Sequence, residues 1–172
     1  ESCMLNEIKI YIESILNRIQ NINIIYIGID GVAPVAKMVQ QRERRYRGVK
    51  YKKKINSIKN KFKLSIDTWD SNTITPGTKF MNKLANYLKD WKDSSIYKET
   101  IILSDASEPM EGEHKICNYI RTNVNLFKDE NIMIYGLDAD LIMLAMYLPC
   151  DQVYLLRESV HFNKIDSTKL LL

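Results

Sequence analysis

Four short runs of β-branched and aliphatic residues alternate with stretches of helical periodicity, and this alternation confines the chain to few folds. Ile24-Ile25-Tyr26-Ile27-Gly28-Ile29 is apolar without a break, the pattern of a strand buried on both faces. Thr100-Ile101-Ile102-Leu103, Ile132-Met133-Ile134-Tyr135 and Val153-Tyr154-Leu155-Leu156 are of the same kind. Ahead of the first run, Leu5, Ile8, Ile12, Ile15, Leu16 and Ile19 recur at the spacing of one helix face. Pro34 suits the first turn of a second helix, where its missing N–H costs nothing. That helix is expected to run through a basic arm at about 35–63, interrupted near Gly48. Thr75-Pro76-Gly77 opens a third helix, with Phe80, Leu84, Tyr87, Leu88 and Trp91 on one side. Residues 113–124 and 141–148 read as two more, the former with Ile116, Tyr119 and Ile120 inward. Strands joined through helices pair in parallel. The expected fold class is therefore α/β, a mostly parallel sheet flanked by helices in a single domain, 1–172.

A chain of 172 residues can bury roughly 70% of the surface its unfolded form exposes, enough for a core without disulfides or a structural metal. Apolar residues make up 45% and charged residues 27%, which argues against disorder, collagen and a coiled coil. No apolar run approaches the ~18 residues of a membrane span, and no signal-peptide pattern opens the chain, so no membrane partner is expected. Cys3, Cys117 and Cys150 are odd in number and lack C-x-x-C spacing, which fits a reducing compartment. The first residue is Glu1 rather than Met, so a fragment is expected.

Each of the first three strands runs into acids. Asp30 ends the first; Asp105, Glu111 and Glu113 follow the second; Asp138 and Asp140 follow the third. Ligands of open parallel sheets bind beyond the carboxyl ends of the strands. Two carboxylates ~4 Å apart repel by about 4 kcal/mol at an effective dielectric of ~20, and a divalent cation removes that cost. All-oxygen ligands point to Mg²⁺ or Mn²⁺ rather than zinc. Glu111/Glu113 and Asp138/Asp140 are spaced i, i+2, about 200° apart on a regular helix. At a loop-to-helix junction both members can face one centre, with Gly112 and Gly136 giving the backbone freedom. The plain alternative is helix capping, which applies to Asp138, and capping or turn formation is favoured for Asp105.

Residues 42–63 hold eleven Lys or Arg and one acid, so the window is +10 and the remainder −6. A solvated helix face and a site for a polyanion both fit that charge. On a helical wheel, with about 100° per residue, Lys37, Gln41, Arg44 and Arg45 fall within about 100° of one another, and Glu43 lies opposite. Cations and an amide so grouped suit phosphate, which Arg grips through paired hydrogen bonds. A phosphate pocket beside an acidic metal cluster describes a nuclease better than a DNA-reading protein. His114 and His161 lack metal-ligand spacing and read as structural; Trp69 and Trp91 read as core.

The sequence resembles the eukaryotic 5′-to-3′ exoribonucleases, the Xrn/Rat family. Blocks 29–47 (IDGVAPVAKMVQQRERRYR), 69–81 (WDSNTITPGTKFM), 104–121 (SDASEPMEGEHKICNYIR), 135–144 (YGLDADLIML) and 154–162 (YLLRESVHF) carry the resemblance, in the family's order. The resemblance implies that Asp30, Glu111, Glu113, Asp138 and Asp140 are catalytic residues that bind Mg²⁺ (or Mn²⁺). It implies that Lys37, Gln41, Arg44 and Arg45 recognise the 5′-monophosphate of a single-stranded RNA. Asp70-Ser71-Asn72 takes a structural or substrate-adjacent role. The implied fold is an α/β nuclease core related to flap-endonuclease and PIN domains, incomplete at both ends. Val35 and Val39 replace an Arg and an Asn common in the family, and Glu108 and Met110 stand where it usually has an apolar residue and a Gly. The expected activity is 5′-to-3′ hydrolysis of 5′-monophosphorylated RNA to mononucleotides, and turnover by these 172 residues alone is not expected. Three rivals remain. A flap-type DNA nuclease would prefer flap DNA, a phosphatase using Asp138 would form a trappable phosphoaspartate, and an inactive RNA-binding fragment would bind without cleaving.

Overall fold

A computed structural model of the chain describes residues 1–66, 69–161 and 164–171, with side chains described through Ser159. The side chain of His161, and Phe162 at the end of the last block, lie outside the described residues. The chain divides into two compact units, Glu1–Glu111 and Gly112–Leu172.

The first unit runs α1 (Ser2–Leu16), β1 (Ile24–Gly28), α2 (Val35–Lys61), a 3₁₀ turn at Ser71–Thr73, α3 (Lys79–Ser94) and β2 (Thr100–Ser104). α1 stops at Leu16, short of Ile19, where the Arg18 and Ile19 N–H groups turn to the Ile15 and Leu16 carbonyls, three residues back rather than four. Asn21, at φ 59°, then turns the chain into β1, and Asn is among the few residues that visit this region readily. β1 and β2 pair in parallel from Ile24↔Thr100 to Gly28↔Ser104, so both strands end at one level. Leu5, Ile25, Phe80, Leu84, Leu88, Trp91 and Ile101 form the core, with Trp69 and Tyr87 packed against it. The start of α3 falls at Lys79 rather than Thr75, because Thr75–Thr78 forms a turn through Gly77 at φ 85°. Thr78 Oγ1 then caps the helix by accepting from the Met81 N–H at 3.3 Å.

α2 departs from expectation. It is unbroken over 27 residues, and Gly48 does not interrupt it. A helical glycine costs only about 1 kcal/mol relative to alanine, and the Arg, Lys and Gln around it are good helix formers. Pro34 sits one position ahead of the first helical residue, its carbonyl accepting from the Lys37 and Met38 amides.

The second unit runs α4 (Gly112–Thr122), α5 (Val124–Phe127), β3 (Asn131–Tyr135), α6 (Asp140–Met146), β4 (Gln152–His161) and β5 (Lys164–Leu171). The single helix expected over 113–124 breaks at Asn123, whose side-chain amide donates to the Tyr119 carbonyl at 2.8 Å. β3 and β4 pair in parallel from Asn131↔Gln152 to Tyr135↔Leu156. β4 extends well past Leu156, and β5, unexpected from the sequence, pairs with it antiparallel. The polar residues Arg157, Glu158 and Ser159 end the apolar run without ending the strand. Cys117, Ile120, Ile134, Leu141, Ala145 and Leu148 are the core. The α/β class with mostly parallel strands flanked by helices stands. Among the described residues, β1-β2 pair in the first unit and β3-β4-β5 in the second.

Candidate active site

In the first unit the common end of β1 and β2 carries two acid-bearing segments. The Ile29 N–H donates to the Ser104 carbonyl at 2.9 Å, extending the ladder one step before Asp30, which is exposed. The next residues are clamped to the loop after β2. Gly31 N donates to the Met110 carbonyl at 2.8 Å, and Met110 N donates to the Val32 carbonyl at 3.0 Å. A Cβ on Gly31 would lie 1.7 Å from the Glu108 carbonyl oxygen, so only glycine permits this approach. Met110 itself has φ 87°, a region that favours glycine. The departure noted at this position in the sequence therefore falls on the residue whose backbone most needs the missing glycine.

The clamp delivers Glu111, which is buried, to the first turn of α2, where Lys37 Nζ donates to Glu111 Oε2 at 2.7 Å. Lys37, Gln41 and Arg45 recur every four residues along α2 and are half-buried, whereas Arg44 on the same side is exposed. The Arg45 guanidinium donates to Gln41 Oε1 at 3.4 Å. That contact leaves the Gln41 amide nitrogen as the donor end. Glu43, expected on the opposite side, pairs there with Arg47 at 3.3 Å.

Asp105 does other work. Its carboxylate accepts from the Ser107 amide at 2.9 Å and pairs with Lys89 at 2.7 Å. The Lys89 ammonium, aided by Ser107, holds the carboxyl down to about 2. The turn-forming role favoured for Asp105 is what the structure shows. Asp70 likewise accepts from the Asn72 amide at 3.0 Å, making a turn.

In the second unit Glu113 lies in the first turn of α4, half-buried, with His114 Nδ1 3.7 Å from Glu113 Oε1. Asp138 and Asp140 are exposed at the β3–α6 junction. Ala139, not Asp138, is the N-cap of α6, and it makes no side-chain capping bond, so capping does not account for Asp138. The junction is held from β4. Gly136 N donates to the Leu156 carbonyl at 3.1 Å, and the Arg157 guanidinium donates to the Leu137 carbonyl at 3.2 Å. A Cβ on Gly136 would come within 2.7 Å of Leu141 Cδ2, which presses the turn onto α6. Beneath it, the Tyr135 hydroxyl donates to the buried carboxylate of Glu158.

Asp30 and Glu111 thus belong to one unit, and Glu113, Asp138 and Asp140 to the other. The sequence assigns no role to Arg157 and Glu158, although both lie in the 154–162 block that carries the resemblance, because they sit past the apolar run that marks β4.

Residues 1–159 match the sequence model of the family described as XRN 5′-3′ exonuclease N-terminus. Similar curated proteins include the 5′-3′ exoribonuclease 2 of Aspergillus oryzae, 39% identical over 95% of this chain and 18% of that protein. That of Gallus gallus is 39% identical over 90% of the chain and 18% of its own length. The 5′-3′ exoribonuclease 1 of Saccharomyces cerevisiae is 42% identical over 92% of the chain and 11% of its own length. The chain therefore spans less than a fifth of each of these relatives.

Proposed function

The chain belongs to the XRN 5′-3′ exonuclease N-terminus family, and from that premise we propose that it supplies catalytic carboxylates and a 5′-end pocket to a 5′-to-3′ exoribonuclease. The observation that carries this reading is the 2.7 Å contact from Lys37 to Glu111. It ties the helix bearing the phosphate-binding side chains to an acid of the proposed catalytic set. The printed names of the relatives, 5′-3′ exoribonuclease 1 and 2, point the same way.

Asp30 and Glu111 in the first unit, and Glu113, Asp138 and Asp140 in the second, are each suited to divalent cations by their chemistry. They offer hard carboxylate oxygens, and neither Asp138 nor Asp140 is spent as a side-chain cap of α6. When bound, Mg²⁺ or Mn²⁺ supplies water activation and charge neutralisation at the scissile phosphate. The chain's own cations do the positioning. Lys37 is half-exposed and can pass a hydrogen bond from Glu111 to an arriving phosphate oxygen. Gln41, its carbonyl engaged by Arg45, presents its amide N–H groups. Arg44 and Arg45 supply paired guanidinium donors for the terminal phosphate. A 5′-hydroxyl offers this pocket no charge, and a cap or triphosphate is too bulky for one compact anion site, so single-stranded RNA with a 5′-monophosphate is the proposed substrate.

The test uses the full-length protein that carries this sequence, with matched RNAs differing only at the 5′ end and Mg²⁺ titrated in. Monophosphate RNA should be degraded to mononucleotides far faster than hydroxyl, triphosphate or capped RNA. Faster cleavage of flap DNA, or end-independent RNA cleavage, would replace this reading.

A further inference from the structure

Resting on that nuclease reading and deepening it, we propose that Arg157 is a positioning residue that fixes the Asp138 turn for cation binding. β3 ends at Tyr135, paired with Leu156, so Arg157 is the first residue of β4 beyond its parallel pairing with β3. The Leu156 carbonyl still takes the Gly136 N–H, at 3.1 Å, one step past the paired residues. The carbonyl of Leu137, in the second peptide beyond, is taken by a side chain instead, the Arg157 guanidinium at 3.2 Å. Arg157 thereby carries the restraint of the sheet two residues past the end of β3, to the residue immediately before Asp138.

That restraint matters because little else holds the Asp138 carboxylate. Asp138, Ala139 and Asp140 are exposed, and no side chain caps the helix they enter. A carboxylate on an untethered turn samples many orientations, and holding one cation then costs that freedom. A half-buried guanidinium bound to the preceding carbonyl removes much of it in advance. Arginine suits the task because its planar fork stays charged and loses little freedom per hydrogen bond. Its own position is secured from the opposite face of β4, where neighbouring Glu158 is buried and bound by the Tyr135 hydroxyl. Outer groups that orient metal ligands typically matter by 10- to 100-fold in affinity, roughly the range expected here.

The experiment compares wild type, Arg157→Met and Arg157→Lys in the full-length protein. Three quantities are read: amide hydrogen exchange at residues 137–140, Mn²⁺ affinity by electron paramagnetic resonance without RNA, and kcat and KM on 5′-monophosphate RNA. In Arg157→Met, exchange at 137–140 should rise about tenfold while the β3 amides stay protected. Mn²⁺ should bind about tenfold more weakly. kcat should fall at limiting Mg²⁺, with KM for RNA within about twofold of wild type. Lysine, which keeps one donor, should recover much of each loss. If Arg157→Met does not fold, Arg157→Gln takes its place in the same three measurements. Unchanged exchange in the variant that folds overturns the assignment whatever Mn²⁺ does. A raised RNA KM with unaltered Mn²⁺ affinity also overturns it, making Arg157 a substrate contact. A wild-type protein that binds no Mn²⁺ overturns the nuclease reading itself, which the exchange measurement does not depend on.

Discussion

Lys37 and Glu111 are 74 residues apart in sequence and 2.7 Å apart in the structure, an ammonium from the first turn of α2 on a buried carboxylate beyond β2. The contact exists because β1 and β2 end at the same level and the Gly31–Met110 clamp folds the two following segments together. Within the first unit it joins the half-buried face of α2 to an acid of the proposed cation-binding set.

The phosphate pocket should show a graded response. Arg45 is half-buried and tied to Gln41, whereas Arg44 is exposed. A charge-assisted contact is worth ~1.5–3 kcal/mol, so Arg45→Ala should lower kcat/KM on monophosphate RNA by roughly 10- to 150-fold. Arg44→Ala should lie at or below the bottom of that range, because solvent screens an exposed contact. Neither should alter the slow cleavage of 5′-hydroxyl RNA. Equal losses on both RNAs would reduce this face of α2 to a general electrostatic rail.

Asp138→Asn and Glu113→Gln should nearly abolish cleavage, by about 10³-fold or more, while leaving RNA affinity within a few-fold. Both side chains belong to the proposed cation-binding set, and neither belongs to the basic face of α2. Single-turnover rates at saturating RNA, with binding measured separately, check this. Near wild-type rates in both variants would remove these acids from the chemistry.

Asp105 should make stability depend on acid pH. Its carboxyl is held at about 2 in the folded chain, chiefly by Lys89 and then by Ser107, against an ordinary value of 3.8. A depressed carboxyl contributes stability that is complete above the unfolded value and lost as pH falls through the folded one. The loss attributable to Asp105 should therefore lie between about pH 4 and pH 2. Asp105→Ala should destabilise the protein by about 1–3 kcal/mol at neutral pH and flatten that acid limb. Urea melts across pH, wild type against variant, give the answer, and parallel curves would show that the pair does not contribute.

Opposite effects are expected at the two ends of the clamp. Met110 holds φ 87°, and a left-handed conformation costs an L-residue about 1–2 kcal/mol. Glycine removes that strain but adds about 0.5–1 kcal/mol of unfolded-state entropy, so Met110→Gly should stabilise by about 0.5–1 kcal/mol. Gly31→Ala places a methyl 1.7 Å from the Glu108 carbonyl oxygen. It should cost about 3 kcal/mol or more, since the obstacle is backbone and cannot swing aside. Denaturant melts of both variants test the pair, and a destabilised Met110→Gly would show that the Met side chain is worth more than the strain.

The sequence by itself determined the alternation of helices and strands, the apolar faces of α1 and α3, the acids at strand ends and the shared side of Lys37, Gln41, Arg44 and Arg45. Each of these is a pattern within a window of a few residues, set by backbone periodicity and by which side chains water rejects. The family resemblance was legible for a related reason, since its blocks are short and ordered along the chain. Tertiary structure alone decided which acid does what. Asp105 and Glu111 follow the same strand, yet Lys89 and a turn claim the first while Lys37 claims the second. The left-handed backbone of Met110 and the anchoring of Leu137 by Arg157 were equally out of reach. Such features depend on strand register and on the path of segments far apart in sequence. A one-residue change in register moves a side chain to the other face of a sheet, and no local pattern records which register the chain will take.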